Sequence, residues 1–235
     1  MLRPNRPAVF VLDIVTKLQH IPSARTIVAI GVDSNSGERV LELHGDFDRD
    51  FKGMNYDLAS QTRITCRTEE LPIRAGVRVR GAGIGKTVIR ARGAKGKGLE
   101  GYAVAMGGAR FVEVSNLTIV NEQGNGVWFD KDSGAEQYLH DVEIRAGAWG
   151  LGFGEGSRAN VTRCSVQGDV WLGGKDAQPR LERICLRAGD LPRPDSAAID
   201  IRGGASPHLI GCRISAPGIA VRVQGDSKAR MQGCE

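Results

Sequence analysis

Trp128, Trp171, Asp200, Arg202 and Arg222 are residue types from which a carbohydrate site is built. An indole offers a flat apolar face on which a sugar ring or another flat group stacks. A carboxylate beside a guanidinium orients hydroxyl groups, or serves as acid and base when its proton inventory suits. The chain offers other chemistry as well. Gly-Ile-Gly-Lys-Thr at 83–87 has the ending of a phosphate-binding loop, but that loop needs a glycine where Arg80 stands. The run after it, Thr87 to Arg92, alternates β-branched and charged residues, which predicts a strand rather than the helix such a loop must open. Asp46, Asp48, Asp50 and Asp57 fall at positions one, three, five and twelve of a calcium loop. Position six, which demands glycine, is Phe51, so an ordinary surface segment is the better reading.

The five cysteines include no Cys-x-x-Cys, and the four histidines are scattered. Neither pattern supplies a metal site, and no cofactor motif remains. We therefore expect no metal and no cofactor.

Whether the tryptophans and charged residues meet depends on the elements that carry them. The second half of the chain repeats with a period of 20 to 28 residues. Three apolar columns recur. The first is Val114, Leu139, Val161, Leu181, Leu209 and Met231. The second, three residues on, is Leu117, Val142, Cys164, Ile184, Cys212 and Cys234. The third is Ile119, Ile144, Val166, Leu186 and Ile214. After a glycine-containing turn come inward pairs: Val127/Phe129, Leu151/Phe153, Val170/Leu172, Ile199/Ile201 and Val221/Val223. Short alternating strands without a helical period, repeated at this spacing, predict a solenoid in which each unit buries its apolar edge against the next. The residue before each second-column position is Asn116, Asp141, Arg163, Arg183, Gly211 or Gly233. Asn, Asp and Gly tolerate the left-handed backbone of a sharp corner; the two arginines depart from that preference.

The stretch "GVRVRGAGIGKTVIRA" and the repeat "GGASPHLIGCRISAPGIAVRV" resemble the right-handed parallel β-helix repeats of the pectin-lyase-like superfamily, over about Ile64 to Glu235. The resemblance implies an all-β, right-handed parallel β-helix, with Gly81–Lys86 as a turn of its first coils. It says little about activity, because that superfamily holds lyases, hydrolases and epimerases beside non-catalytic modules. Calcium-dependent lyases of the group place several Asp on neighbouring strands, whereas Asp130 and Asp200 here lie three coils apart. The Gly-His-Gly and Arg-Ile-Lys motifs of polygalacturonases are absent, as are the paired Asp of the methylesterases.

Residues 1–63 are expected to form an N-terminal cap or edge region, with Ala8–Gln19 a candidate amphipathic helix. Thr26–Val32 and Arg39–His44 then read as strands around a "DSNSG" turn. Residues 64–235 form the β-helix. Met231 and Cys234 begin a further coil, which reads as truncation mid-coil and offers end-to-end self-association.

In this register the outward residues between the inward pairs are Trp128, Gly152, Trp171, Asp200 and Arg222, followed by Asp130, Gly154, Gly173, Arg202 and Gln224. Tryptophans two coils apart would bound a slot about 9–10 Å wide. The plainer arrangement lays the rings flat on the sheet over the neighbouring glycines. Cys164 and Cys212, two coils apart, are too distant for a disulfide, and small reduced core thiols suit a cytoplasmic compartment. No run is apolar enough to span a membrane, and the N-terminus lacks a cleavage signal. The eight basic residues from Arg74 to Lys97 have no interleaved aromatic, which argues against a nucleic-acid platform. The leading reading is a non-catalytic module that presents one sheet face to a protein or glycan. The alternative is a polysaccharide lyase, hydrolase or epimerase with its groove over Trp128, Trp171, Asp200 and Arg222.

Overall fold

The computed structural model describes residues 27–32, 39–43, 55–57, 62–66, 71–73, 78–91, 101–106, 112–129, 136–189 and 197–235. The candidate helix Ala8–Gln19, Asp46 to Asp50 and Asp130 lie outside these residues. The described strands run β1 Ile27–Val32, β2 Arg39–Leu43, β3 Asn55–Asp57, β4 Thr62–Cys66, β5 Leu71–Ile73, β6 Arg78–Arg80, β7 Thr87–Ala91, β8 Tyr102–Met106, β9 Val112–Asn121 and β10 Asn125–Phe129. They continue with β11 Gln137–Phe153, β12 Asn160–Thr162, β13 Ser165–Leu172, β14 Arg180–Glu182, β15 Cys185–Arg187, β16 Ala197–Ile201, β17 His208–Ile210, β18 Arg213–Ser215, β19 Ile219–Val223 and β20 Arg230–Gln232. No helix occurs among the described residues.

Apart from the antiparallel pair of β1 with β2, these strands pair in parallel and wind into a β-solenoid with three faces. The first face stacks β3, β6, β9, β11, β12, β14, β17 and β20. The second stacks β2, β4, β7, β9, β11, β13, β15 and β18. The third stacks β5, β8, β10, β11, β13, β16 and β19. The longer strands β9, β11 and β13 bend from one face to the next. The expected strands around residues 33–38 are present as β1 and β2, and β2 joins the parallel stack by pairing with β4.

The apolar columns stack in the register expected from the sequence. Val114, Leu139, Val161, Leu181, Leu209 and Met231 are successive partners on the first face. Ile119, Ile144, Val166, Leu186 and Ile214 follow one another on the second. Val127, Leu151, Val170, Ile199 and Val221 do so on the third. The Phe129 and Phe153 rings are nearly parallel, with centroids 4.7 Å apart. Removing such side chains from water is the main force holding the coils together, at about 1.5–3 kcal/mol for each fully buried one.

The corner between the first and second faces shows how the chain turns. Asn116, Asp141, Arg163, Arg183, Gly211 and Gly233 all have φ between 51° and 59°. The left-handed backbone therefore repeats at these six successive coils, arginines included. For Arg163 the structure supplies a reason: its guanidinium donates to both oxygens of Asp141 one coil before it, at 2.7 and 2.6 Å. The second-column cysteines also serve the corner. Cys164 Sγ lies 3.6 Å from the carbonyl oxygen of Leu139, and Cys212 Sγ lies 3.3 Å from that of Leu181. A small buried side chain that also donates weakly to the backbone suits this position.

Gly81 to Lys86 is a turn between β6 and β7, as expected. Most of its amides are already engaged: Gly81 and Gly83 donate to the Ser115 and Asn116 carbonyls, Lys86 and Thr87 to the Gly83 carbonyl. Ala82 donates to Thr87 Oγ1 and Gly85 to Thr118 Oγ1. A phosphate would have to displace these bonds, and a strand follows where a phosphate loop needs a helix.

Candidate functional site

On the outward side of the third face, Ala105, Trp128, Gly152, Trp171, Asp200 and Arg222 are consecutive partners, one per coil. Strand pleating places them there, because their neighbours on either side, such as Val170 and Leu172, point into the core. The sequence-derived column is thus a physical column.

The slot between the tryptophans is closed. The rings of Trp128 and Trp171 stack at 5.8 Å and 24°, well short of the 9–10 Å that backbone spacing would give. Gly152 between them has no side chain to keep them apart, so both indoles lean together and bury area against each other. A Cβ at Gly152 would fall 2.7 Å from Trp128 Cε3 and would also collide with the Tyr102 hydroxyl. A Cβ at Gly173 would collide with the Trp171 ring. The arrangement with rings covering glycines is the one adopted.

Two further aromatics join the stack, and the sequence reading missed both. Trp149 packs on Trp171 at 5.8 Å and 22°, and Tyr102 lies 5.3 Å from Trp128 at 41°. Trp149 sits three residues before Gly152 in β11, where the strand changes face and its register with β13 shifts. Its amide donates to Asn125 Oδ1 at 3.2 Å. Asn125 in turn belongs to a buried corner: Asn121 Nδ2 donates to the carbonyls of Gly101 and Asn125 at 2.9 and 2.8 Å. The paired asparagines in "NEQGN" are the only sequence sign of this support. Tyr102 is fully buried, and its hydroxyl has no partner among the described residues. Burial pushes its phenol well above the usual range. The three indoles remain partly exposed and form one stacked apolar strip.

Polar groups continue the strip. Arg202 Nε donates to Asp200 Oδ1 at 2.9 Å, and its Nη2 donates to Oδ2. Arg222 lies one coil beyond Asp200 in the same column and has no ion pair among the described residues. The structure therefore brings Trp128, Trp171, Asp200, Arg202 and Arg222 onto one face, with the carboxylate oxygens of Asp200 already occupied.

A second charged cluster, also unforeseen, lies around the first face. His140 places Nδ1 2.8 Å from Asp141 Oδ2 and Nε2 3.3 Å from Glu113 Oε1. Arg163 beside Asp141 holds that carboxyl down to about 2. With a carboxylate at each ring nitrogen, His140 has no open nitrogen for a substrate; it links two coils, and the Arg163–Asp141 pair extends the cluster to a third. Among the described residues no group of three His, Cys, Asp or Glu side chains could hold a metal ion. Cys164, Cys185, Cys212 and Cys234 are free thiols, and burial pushes that of Cys164 up to about 12. No helix among the described residues is long and apolar enough to cross a membrane. No family model matches the chain, and no curated protein or solved structure matches it.

Proposed function

We propose that this β-solenoid is a non-catalytic binding module whose third face lays a glycan chain along the indole strip. The observation that carries this reading is the continuity of the column: stacked Trp128, Trp171 and Trp149 run directly into the Asp200–Arg202 pair and Arg222. Sugar rings present apolar C–H faces to the exposed indoles, and their hydroxyls reach the carboxylate and guanidinium groups. Because the rings are pre-stacked, little side-chain freedom is lost on binding. The closed spacing makes the strip a platform on which the ligand lies, rather than a slot that it enters. The free thiols of Cys164, Cys212 and Cys234 support a reducing, cytoplasmic setting.

The test is tryptophan fluorescence titration with a panel of neutral and acidic oligosaccharides, using Trp171→Ala and Arg222→Ala. The expected result is saturable binding that weakens about tenfold or more in Trp171→Ala. Binding by the variants equal to the parent's would remove the platform from the reading. A rise in reducing ends or unsaturated products during incubation would replace it with the polysaccharide-active enzyme.

A further inference from the structure

A cleft of about 610 Å³ lies on the first face, away from the indole strip. One wall is Arg180, His208 and Arg230, successive partners on β14, β17 and β20. The other is Gln178, Ser206 and Lys228, which repeat one per coil in the preceding turns. Pro207 and Ala229 lie between the walls. The backbone is fully used in holding this shape: the amides of His208 and Arg230 donate to the carbonyls of Pro179 and Pro207, and those of Ser206 and Lys228 donate to Ala177 and Ala205.

The cleft carries three permanent cations and no carboxylate among its lining residues. Arg180 is partly satisfied by Glu182 on its own strand, at 2.9 Å. Lys228 and Arg230 have no ion pair among the described residues. The Nε2 of His208 is buried with no hydrogen-bond partner. A buried ring nitrogen without a partner, on a residue whose register partners in the coils on either side are arginines, is an arrangement that a bound oxyanion would complete.

We infer that this cleft binds a phosphoryl-bearing anion of up to nucleotide size. Its volume falls within the range of small-molecule pockets, about 300–1,000 Å³. Arg180 and Arg230 are two coils apart, about 9–10 Å by backbone spacing, with His208 halfway. A diphosphate lying along the solenoid axis meets His208 at its centre and a guanidinium toward each end, while Lys228 closes it from the opposite wall. Guanidinium forks recognise phosphate oxygens in pairs, which favours phosphoryl groups over a single carboxylate.

Calorimetric titration with inorganic pyrophosphate at about 0.15 M salt tests the assignment on the full chain. Saturable one-site binding is expected, weakened by about tenfold or more when Lys228→Ala and Arg230→Ala are combined. Both side chains are exposed, so thermal melting of the double variant should match the parent. His208→Ala should weaken binding several-fold, with part regained in His208→Gln, which restores a polar hydrogen-bonding group. Lys86→Ala, a distant exposed cation, should leave binding within about twofold. Absence of pyrophosphate binding at this salt would overturn the inference, as would an equal loss in Lys86→Ala, which would mean diffuse charge. Citrate binding as tightly as pyrophosphate would overturn the phosphoryl assignment. Trp171→Ala should bind pyrophosphate normally, so this site and the glycan platform stand or fall separately.

Discussion

The coils between Val112 and Ile201 and the last coil, made of β18, β19 and β20, follow one sequence pattern and bury it unequally. In the column Phe129, Phe153, Leu172, Ile201 and Val223 the first four are essentially inaccessible, whereas Val223 is 46% exposed. On the first face Leu209 is fully buried and Met231, its partner, is 47% exposed. The strands are equally regular in both regions. Periodicity thus fixes which side chains point inward, while burial comes from the coils above and below. The strands of the last coil have such a neighbour on one side only among the described residues.

Core truncation should show this contrast most strongly. Phe153→Ala should cost about 3–5 kcal/mol in urea unfolding, because it opens a cavity beneath the Phe129 ring. Val223→Ala, in the same column, should cost under about 1 kcal/mol. Equal costs would mean that the last coil is covered as the middle ones are.

Thiol labelling gives the next largest difference. Cys164 is buried, and its thiol is pushed up to about 12 by loss of solvation. Cys234 occupies the same column but is only half-buried. Cys164 should react with a maleimide at least about a hundredfold more slowly than Cys234, as read by peptide mass mapping. Similar rates would show that the middle coils open as readily as the last.

Glycine replacement comes third. Gly152→Ala should cost about 1–3 kcal/mol and alter the near-ultraviolet circular dichroism, since the new methyl must displace the Trp128 ring and the Tyr102 hydroxyl. Gly218→Ala, with open space around it, should move neither signal.

The smallest effect is electrostatic. Asp141 has its carboxyl lowered from 3.8 to about 2, first of all by the hydrogen bond from Arg163. A folded value below the unfolded one gives stability that is present above about pH 4 and is lost as the pH falls toward 2. The pair is largely solvated, so the gain is under about 1 kcal/mol. Asp141→Asn should flatten that part of the stability profile, and a slope unchanged by the substitution would assign it to other carboxylates.

The sequence by itself determined the coil register, the inward columns, the left-handed corners at Asn, Asp and Gly, and the outward order from Trp128 to Arg222. These follow from chain-local rules: alternation sends every second side chain inward, and each coil must repeat its apolar positions for the stack to exclude water. Tertiary structure alone decided what the outward side chains do. The slot expected between Trp128 and Trp171 closed because Gly152 left them free to touch. Trp149 and Tyr102 joined because a change of face brings residues from other register positions alongside. Arg163 finds its acid on the preceding coil, and the cations of Arg180, Lys228 and Arg230 gather around His208 only once three coils of unequal length are stacked. Apolar side chains answer to the shared axis, whereas outward ones choose rotamers among neighbours that are remote in the sequence.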